Sequence, residues 1–274
     1  MNGIRLAEKR DIPALCEIWK ACFNDPEDYI EFFYRENFGC VTAAVYVIDD
    51  RPVSMLHWFD SSFVNGDVRS CAKYLYAGGT APEYRRNGYY GELFRYVKDL
   101  AKNNGFALFG KPARRELIPY YQTLGFEPDA CFRLITVQPD GIVPVGISPL
   151  SPEKYNRMRN RVFSSRPYAE WPDRYVRFCV KENAYFGGLT AAVTLDGEEH
   201  FIMCAPEGKT LRITETSLSP DALQRACGAL CGMFKTDFIK AYMPEHVCGE
   251  GEEIVSSIVY NAPLNNTYVN LILI

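Results

Sequence analysis

No excess of positive charge is present in this chain. Its 30 lysines and arginines face 34 aspartates and glutamates, a net charge of −4 over 274 residues. Proteins that grip DNA or RNA need clustered positive surface, so no nucleic acid is expected as a partner. Histidine is scarce, with three in all, and none stands beside a cysteine pair. The ten cysteines include no C-x-x-C spacing, which removes the usual zinc frameworks. Cys227 and Cys231 stand one helical turn apart but lack a second pair of ligands, so no metal is expected. The other cysteines lie mostly in apolar runs such as Ala14–Phe23 and Ala226–Phe234, and read as buried thiols of a reducing cytoplasm. No apolar run reaches membrane-spanning length, and the start Met1-Asn2-Gly3-Ile4-Arg5 leads into charge instead of a secretion signal. A cytoplasmic protein without membrane contact is the expectation. Two phosphate motifs are also missing: Gly110-Lys111-Pro112 lacks the upstream glycine and the hydroxyl residue of a G-x-x-x-x-G-K-[ST] loop, and no G-x-G-x-x-G follows a strand.

The hydrophobic content is ample. At 47% of residues it fills two cores, and the length suits two domains. Asp11–Phe23 places Ile12, Leu15, Cys16, Trp19, Cys22 and Phe23 on one helical face with Asp11 as N-cap. A second helix runs from Pro26 through Phe33. Strands follow at Ala43–Ile48, Pro52–Val64 and Val68–Gly79, punctuated by Asp49-Asp50 and Asn65-Gly66 turns. The next helix buries Leu93, Phe94, Val97, Leu100 and Ala101 and ends at Asn103-Asn104-Gly105. Phe106–Phe109 reads as a short strand, Arg114–Leu124 as a helix closed by Gly125, and Cys131–Val137 as the last strand of the first domain. Prolines 139, 144 and 149 with Gly141 and Gly146 mark a linker near 138–150.

A second set of elements follows in the same order. Helices open at Ser151-Pro152 and Trp171-Pro172, a meander spans Leu189–Ser217, and Ser219-Pro220-Asp221 caps a helix facing inward through Leu223, Ala226, Cys227, Leu230 and Phe234. Strands near Phe238–Met243, Ile254–Tyr260 and Thr267–Ile274 complete the pattern. The predicted domains are 1–140 and 146–274.

Between the third strand and the third helix lies Thr80-Ala81-Pro82-Glu83-Tyr84-Arg85-Arg86-Asn87-Gly88-Tyr89-Tyr90-Gly91. A helix start has backbone N–H groups without intrahelical partners and the positive end of the helix dipole. Arg85 and Arg86 add charge, and Gly88 with Gly91 lets main chain approach an anion closely. Some thirty residues on stands Pro119-Tyr120-Tyr121-Gln122-Thr123-Leu124-Gly125-Phe126.

Arg-x-x-Gly-x-x after Gly78-Gly79-Thr80 resembles the pyrophosphate loop of the GNAT acyl-CoA-dependent N-acetyltransferases, and the second segment resembles the same family's tyrosine-bearing helix. The resemblance covers 1–137 by motif and 150–274 by element order alone. It implies an α/β mixed-sheet GNAT acyltransferase fold followed by a degenerate GNAT-like domain, since Leu218-Ser219-Pro220-Asp221 at the second strand-to-helix junction offers neither arginine nor glycine. Such tandems resemble the Eis-type acetyltransferases, although those carry a further C-terminal domain for which 274 residues leave no room.

The resemblance further implies acetyl-CoA as cofactor, with its pantetheine along the strand at Gly78 and Thr80. Its diphosphate is expected on Arg85, Arg86, Asn87, Gly88, Tyr89, Tyr90 and Gly91. The family prefers a small residue where Tyr90 stands, so its ring must point away for its N–H to serve. Tyr74 and Tyr76 are expected to share a strand face and Gly79 to leave the opposite face bare. A main-chain donor at this strand end would stabilise an oxyanion, an interaction worth about 3 kcal/mol in such sites.

Tyr121 aligns with the family's general acid. A phenol titrates near 10 and a thiol near 8.5, so full proton transfer between unperturbed groups is uphill by about 2 kcal/mol. Tyr120 is its rival, about 100° away around the helix. A base is not evident. His57, water relay and the carboxylate of Ile274 stay open, as do the acidic stretches Asp25–Asp28 and Gly249–Glu253 as walls for a cationic amine. The expected activity is transfer of an acetyl group to a primary amine of a small molecule or peptide by direct ternary-complex attack. The alternative is an inactive acyl-CoA-binding regulatory protein.

Overall fold

A computed structural model describes residues 2–248, 251–255, 257–263 and 267–270. In chain order the elements are β1 (Gly3–Leu6), α1 (Ile12–Phe23), α2 (Glu27–Asn37), β2 (Thr42–Ile48), β3 (Arg51–Asn65), β4 (Val68–Thr80), α3 (Tyr89–Asn104), β5 (Ala107–Gly110), α4 (Ile118–Thr123), β6 (Glu127–Pro128) and β7 (Cys131–Val137). They continue with β8 (Gly146–Pro149), α5 (Pro152–Phe163), β9 (Tyr168–Glu170), α6 (Asp173–Tyr185), β10 (Leu189–Leu195), β11 (Glu198–Glu207), β12 (Thr210–Thr216), α7 (Pro220–Phe234), β13 (Phe238–Pro244), β14 (Glu252–Val255) and β15 (Ile258–Tyr260).

The chain forms two compact units. The first comprises Met1–Ser62, Ser70–Glu127 and Ile258–Pro263, and the second Phe63–Arg69, Pro128–Ser257 and Leu264–Ile274. In the first, the strand order is β1-β2-β3-β4-β5-β15-β6, with β4 and β5 parallel. The β2–β3 turn is tight because Asp49 and Asp50 both adopt positive φ, 49° and 64°, the twist that matches paired strands. On one side of the sheet α3 buries Leu93, Phe94, Val97 and Ala101 against Leu56, Leu75, Leu108 and Phe126. Spacing of four along a helix puts such residues on one stripe, and each buried side chain of this size contributes about 1.5–3 kcal/mol.

The second unit has the order β14-β7-β13-β12-β11-β10-β8. Its β10–β11–β12 meander is antiparallel, and α7 then leads to β13, which is parallel to β12. The same sequence of events runs from β2 through α3 to β5, so the expected two-unit mixed α/β architecture is present. At the core of the second unit Arg159 and Glu215 form a fully buried pair at 3.0 Å. The Glu215 carboxylate also accepts from the hydroxyls of Tyr155 at 2.5 Å and Tyr268 at 2.9 Å. Each terminal nitrogen of Arg159 also donates to a carbonyl, Nη1 to Ala169 at 2.8 Å and Nη2 to Asn270 at 3.3 Å. Every charge is therefore met by hydrogen bonds, as burial demands.

Several expectations change. Cys131–Val137, read as the last strand of the first sheet, pairs instead with β13 and β14 of the second. Its position beside β5 is taken by β15, whose Ile258 and Val259 are buried. Ile254–Tyr260, read as one strand, therefore divides between the two sheets. The helix expected over Arg114–Leu124 begins only at Ile118 after a 3-10 turn, because Arg114 is extended and Pro119 sits in the first turn, where it is tolerated. Asp11 does not cap α1 with its side chain. It accepts from Arg5 at 2.6 and 2.8 Å, and that guanidinium holds the carboxyl below its ordinary range. Of the strand expected at Thr267–Ile274, residues 271–274 lie outside the described residues, as do Gly249 and Glu250 of the acidic run; Tyr268 makes an isolated bridge to Tyr168.

Candidate active site

The β4–β5 ladder runs from Ala72–Ala107 to Leu75–Gly110 and stops, while β4 continues to Thr80. The last turn of β4 thus has an edge that β5 does not cover. Ala77, just past the end of the ladder, has a φ of 42°, a left-handed conformation uncommon outside glycine, asparagine and aspartate. It breaks the side-chain alternation of the strand, as a β-bulge does. Tyr76 packs toward Trp19 and Phe33, on α1 and α2. A Cβ on Gly78 would instead collide with the Tyr90 hydroxyl and lie 2.9 Å from Leu56 Cδ1, on the α3 side. Gly79 returns to the α1 side, where a Cβ would lie 2.7 Å from Cys22 Sγ. The expectation that Gly79 would lie opposite Tyr74 and Tyr76 is therefore corrected: the extra residue at Ala77 shifts the alternation, and Gly79 is needed because α1 comes so close.

Two side chains of β3 hold this irregular stretch. The His57 imidazole is 3.0 Å from the Ala77 carbonyl through Nδ1 and 3.1 Å from the Tyr34 hydroxyl through Nε2. Ser54 Oγ donates to the Gly79 carbonyl at 3.0 Å and meets Thr80 Oγ1 at 2.8 Å. In a planar trans peptide the C=O and N–H point in opposite directions. Carbonyls of Ala77 and Gly79 held by β3 side chains therefore turn the N–H groups of Gly78 and Thr80 away from β3.

A carbonyl only accepts, so His57 Nδ1 carries the proton and Nε2 accepts from Tyr34. The ring has 0% exposure, and burial lowers its pKa to about 4. An imidazole with both nitrogens engaged and no access to solvent does not serve as base for an incoming amine. Burial also raises the Tyr34 hydroxyl far above its ordinary value, which keeps it a neutral donor.

Downstream, Arg86 and Gly88 have φ of 67° and 83°, and Tyr89 enters α3. A left-handed residue followed by a helical one gathers successive N–H groups into a concavity suited to anions. The first intrahelical bond of α3 runs from Glu92 N–H to the Gly88 carbonyl at 3.0 Å, and no side chain caps the helix. A Cβ on Gly88 or Gly91 would meet nothing within 4 Å. The arginines are not equivalent. Both are exposed, but Arg85 reaches back to the carbonyls of Thr80 at 3.1 Å and Ala21 at 3.4 Å. Asn87 braces the turn through the Tyr84 carbonyl at 3.2 Å. The α7 start in the second unit is built otherwise: Ser219 Oγ accepts from Ala222 N–H at 3.2 Å.

The α4 segment is pinned by its own ending. Gly125 at a φ of 80° lets the N–H groups of Leu124 and Phe126 both reach the Tyr121 carbonyl, at 3.0 and 3.1 Å, and Lys98 of α3 donates to the Leu124 carbonyl. Tyr121 packs on Phe94 and Phe126, while Tyr120 is 42% exposed. Tyr121 thus faces α3 and its rival faces solvent. The Tyr90 ring points away from the loop surface, edge-on to Phe94, with its hydroxyl at Gly78 and directed at Tyr121. Burial raises Tyr121, and the hydrogen bond from Tyr90 opposes that rise; Tyr90 itself is raised strongly by burial.

Sequence reasoning gave Tyr90 a role only through its N–H, as a diphosphate contact, and missed its hydroxyl as well as Tyr34 and Ser54. A tyrosine in place of a small residue was the available signal for the first, and nothing local marked the others. The cysteines are also more varied than expected: Cys40 and Cys71 are exposed and Cys16 and Cys22 half-buried, because β4 and the α2–β2 turn present them at an outer face. Cys227 and Cys231 are buried with Sγ atoms 3.8 Å apart. Among the described residues no helix is long and apolar enough to cross a membrane.

Residues 3–128 match the family model of the acetyltransferase (GNAT) domain. No curated protein matches the chain. Among solved structures, a conserved protein of unknown function from Enterococcus faecalis V583, described as a probable N-acyltransferase, is 12% identical with a TM-score of 0.72 over 94% of this chain and 72% of that one. A GCN5-related N-acetyltransferase from Kribbella flavida is 16% identical, TM-score 0.67, over 94% and 71%. Eis1 from Mycobacterium abscessus is 15% identical, TM-score 0.65, over 94% and 73%. At these identities the likeness is one of fold, and it extends through both units. Residues 3–128 therefore carry a GNAT acetyltransferase domain, and the likeness of fold to GNAT acetyltransferases runs on through the second unit.

Proposed function

We propose that this protein transfers the acetyl group of acetyl-CoA to a primary amine of a small molecule or peptide by direct attack in a ternary complex. The observation that carries the reading is the uncapped start of α3, with left-handed Arg86 and Gly88 and open space over Gly88 and Gly91. That is a cradle for a diphosphate, and it stands at the end of a strand whose ladder with β5 stops at Leu75. The corresponding helix start of the second unit closes on its own serine, which favours a single cofactor site per chain.

Acetyl-CoA would supply the activated acetyl group. The N–H groups of Tyr89, Tyr90 and Gly91 would hold its diphosphate with help from Arg86. Arg85 would act on the loop as well, since its guanidinium already reaches the carbonyls of Thr80 and Ala21. The N–H groups of Gly78 and Thr80 would pair with the pantetheine chain and polarise the acyl oxygen, as preorganised donors do. Tyr121 would hold the proton destined for the leaving sulfur, and Tyr90 would ease its release. Alignment of amine and acyl carbon would provide most of the acceleration.

The test is thiol release from acetyl-CoA across a panel of primary amines, alongside calorimetric titration with coenzyme A. Release with at least one amine, and an affinity that falls at least tenfold in Arg86→Glu, supports the reading. Tight binding without release from any amine supports the regulatory alternative, and absence of binding defeats both.

A further inference from the structure

Ala77 is the least comfortable backbone position in β4. Alanine has no side-chain oxygen to ease a left-handed conformation, and non-glycine residues in that region persist only where their surroundings over-determine them. The surroundings here are specific. The Ala77 carbonyl accepts from His57 Nδ1, and the far nitrogen of the same ring accepts from Tyr34. Trp19, Phe33 and Tyr34 wall the imidazole at ring distances of 5.9, 6.1 and 5.8 Å, so water does not reach this carbonyl from that side. A buried histidine that is not a base still has a task to explain.

We propose that His57 is a positioning residue: by holding the Ala77 carbonyl it locks the bulge that directs the Gly78 N–H to the edge of β4 past the end of its ladder with β5. The inference rests on the acetyl-transfer reading for its catalytic consequence. Its mechanical part stands on the hydrogen bonds alone. Rotation of the Ala77–Gly78 peptide would turn the Gly78 N–H out of line while leaving the α3 cradle, which has its own supports in Asn87 and Gly88, in place. Loss of the latch therefore reduces turnover without loosening the grip on coenzyme A. The Ala77 carbonyl fixes the ring's proton on Nδ1, and the Tyr34 hydroxyl satisfies the Nε2 lone pair that this tautomer leaves.

The experiment contrasts two amides at position 57 in the full chain. Asparagine places a donor near Nδ1, whereas glutamine reaches toward the Nε2 position and Tyr34. Three quantities are read: kcat for thiol release with the best amine of the panel, KM for acetyl-CoA, and hydrogen–deuterium exchange of the amides of residues 76–80. His57→Asn is expected to stay within about fivefold of the native kcat with native exchange. His57→Gln is expected to lose kcat about 30-fold or more, to keep KM within about threefold, and to exchange at least tenfold faster across 76–80. Native exchange in His57→Gln, equal losses in the two variants, or a parallel loss of kcat and coenzyme A affinity overturns the proposal. If the native protein releases no thiol with any amine, the transfer reading fails instead, and the exchange measurement alone decides whether the latch exists.

Discussion

Gly91→Ala moves stability and cofactor binding in opposite directions if the α3 cradle works as described. Gly91 lies in the first turn of α3, and a Cβ there meets no atom within 4 Å. Alanine in a helix is better than glycine by about 0.5–1 kcal/mol when nothing obstructs it. For a chain of this size that corresponds to a melting temperature about 1–4 °C higher. The same methyl projects into the space an anion would use. Losing one charge-assisted hydrogen bond costs about 1.5–3 kcal/mol, or roughly 10- to 150-fold in affinity for coenzyme A. Scanning calorimetry of the free protein and isothermal titration with coenzyme A read the two effects separately. A variant that melts higher and binds as tightly as native would show that no diphosphate oxygen comes near Gly91, and the cradle would then lose its main support.

Tyr121→Phe removes the proposed acid without altering the Phe94–Phe126 packing, so kcat should fall about 100-fold with KM for acetyl-CoA little changed; a native kcat would remove Tyr121 from the chemistry. His57 titrates at about 4 in the folded protein against an ordinary 6.5, so the unfolded chain binds the extra proton first. Its contribution is fully present above pH 6.5 and is lost as pH falls toward 4, for a total of about 3 kcal/mol. Urea unfolding between pH 7 and 4 should show this slope in the native protein and a shallower one in His57→Asn; equal slopes would refute the assignment. Glu215→Gln leaves the Arg159 charge buried without its partner and should destabilise the protein by about 3–5 kcal/mol. A loss under about 1 kcal/mol in urea unfolding would show that the pair is open to solvent.

How much of this was readable beforehand follows from the range of each signal. The open, glycine-bearing start of α3 and the tight Gly125 ending that turns Tyr121 toward α3 were legible because they depend on local backbone chemistry, which a short window of sequence records. The helix and strand order was legible through apolar periodicity. The bulge at Ala77 was not, since alanine carries no preference for positive φ and the bonds that hold the stretch come from His57, twenty residues before Ala77 in sequence, and Ser54, more than twenty before Gly79. Nor was the direction of Tyr90, which is set by the absence of a side chain at Gly78. The placement of β7 and β15 was invisible for a different reason: both are short apolar segments, and either could satisfy the open side of either sheet as far as composition tells.

That placement bears on how the polypeptide matures. The sheet of the first unit acquires its β15 strand only after residue 260 has left the ribosome, so the N-terminal portion must wait, with the β5 edge unpaired, through the synthesis of well over a hundred further residues. A fragment cut near residue 140 would keep that edge open while removing β7 from the sheet where it belongs. Neither piece should fold when produced alone, and mixing the two should restore soluble protein only if both are present before either aggregates.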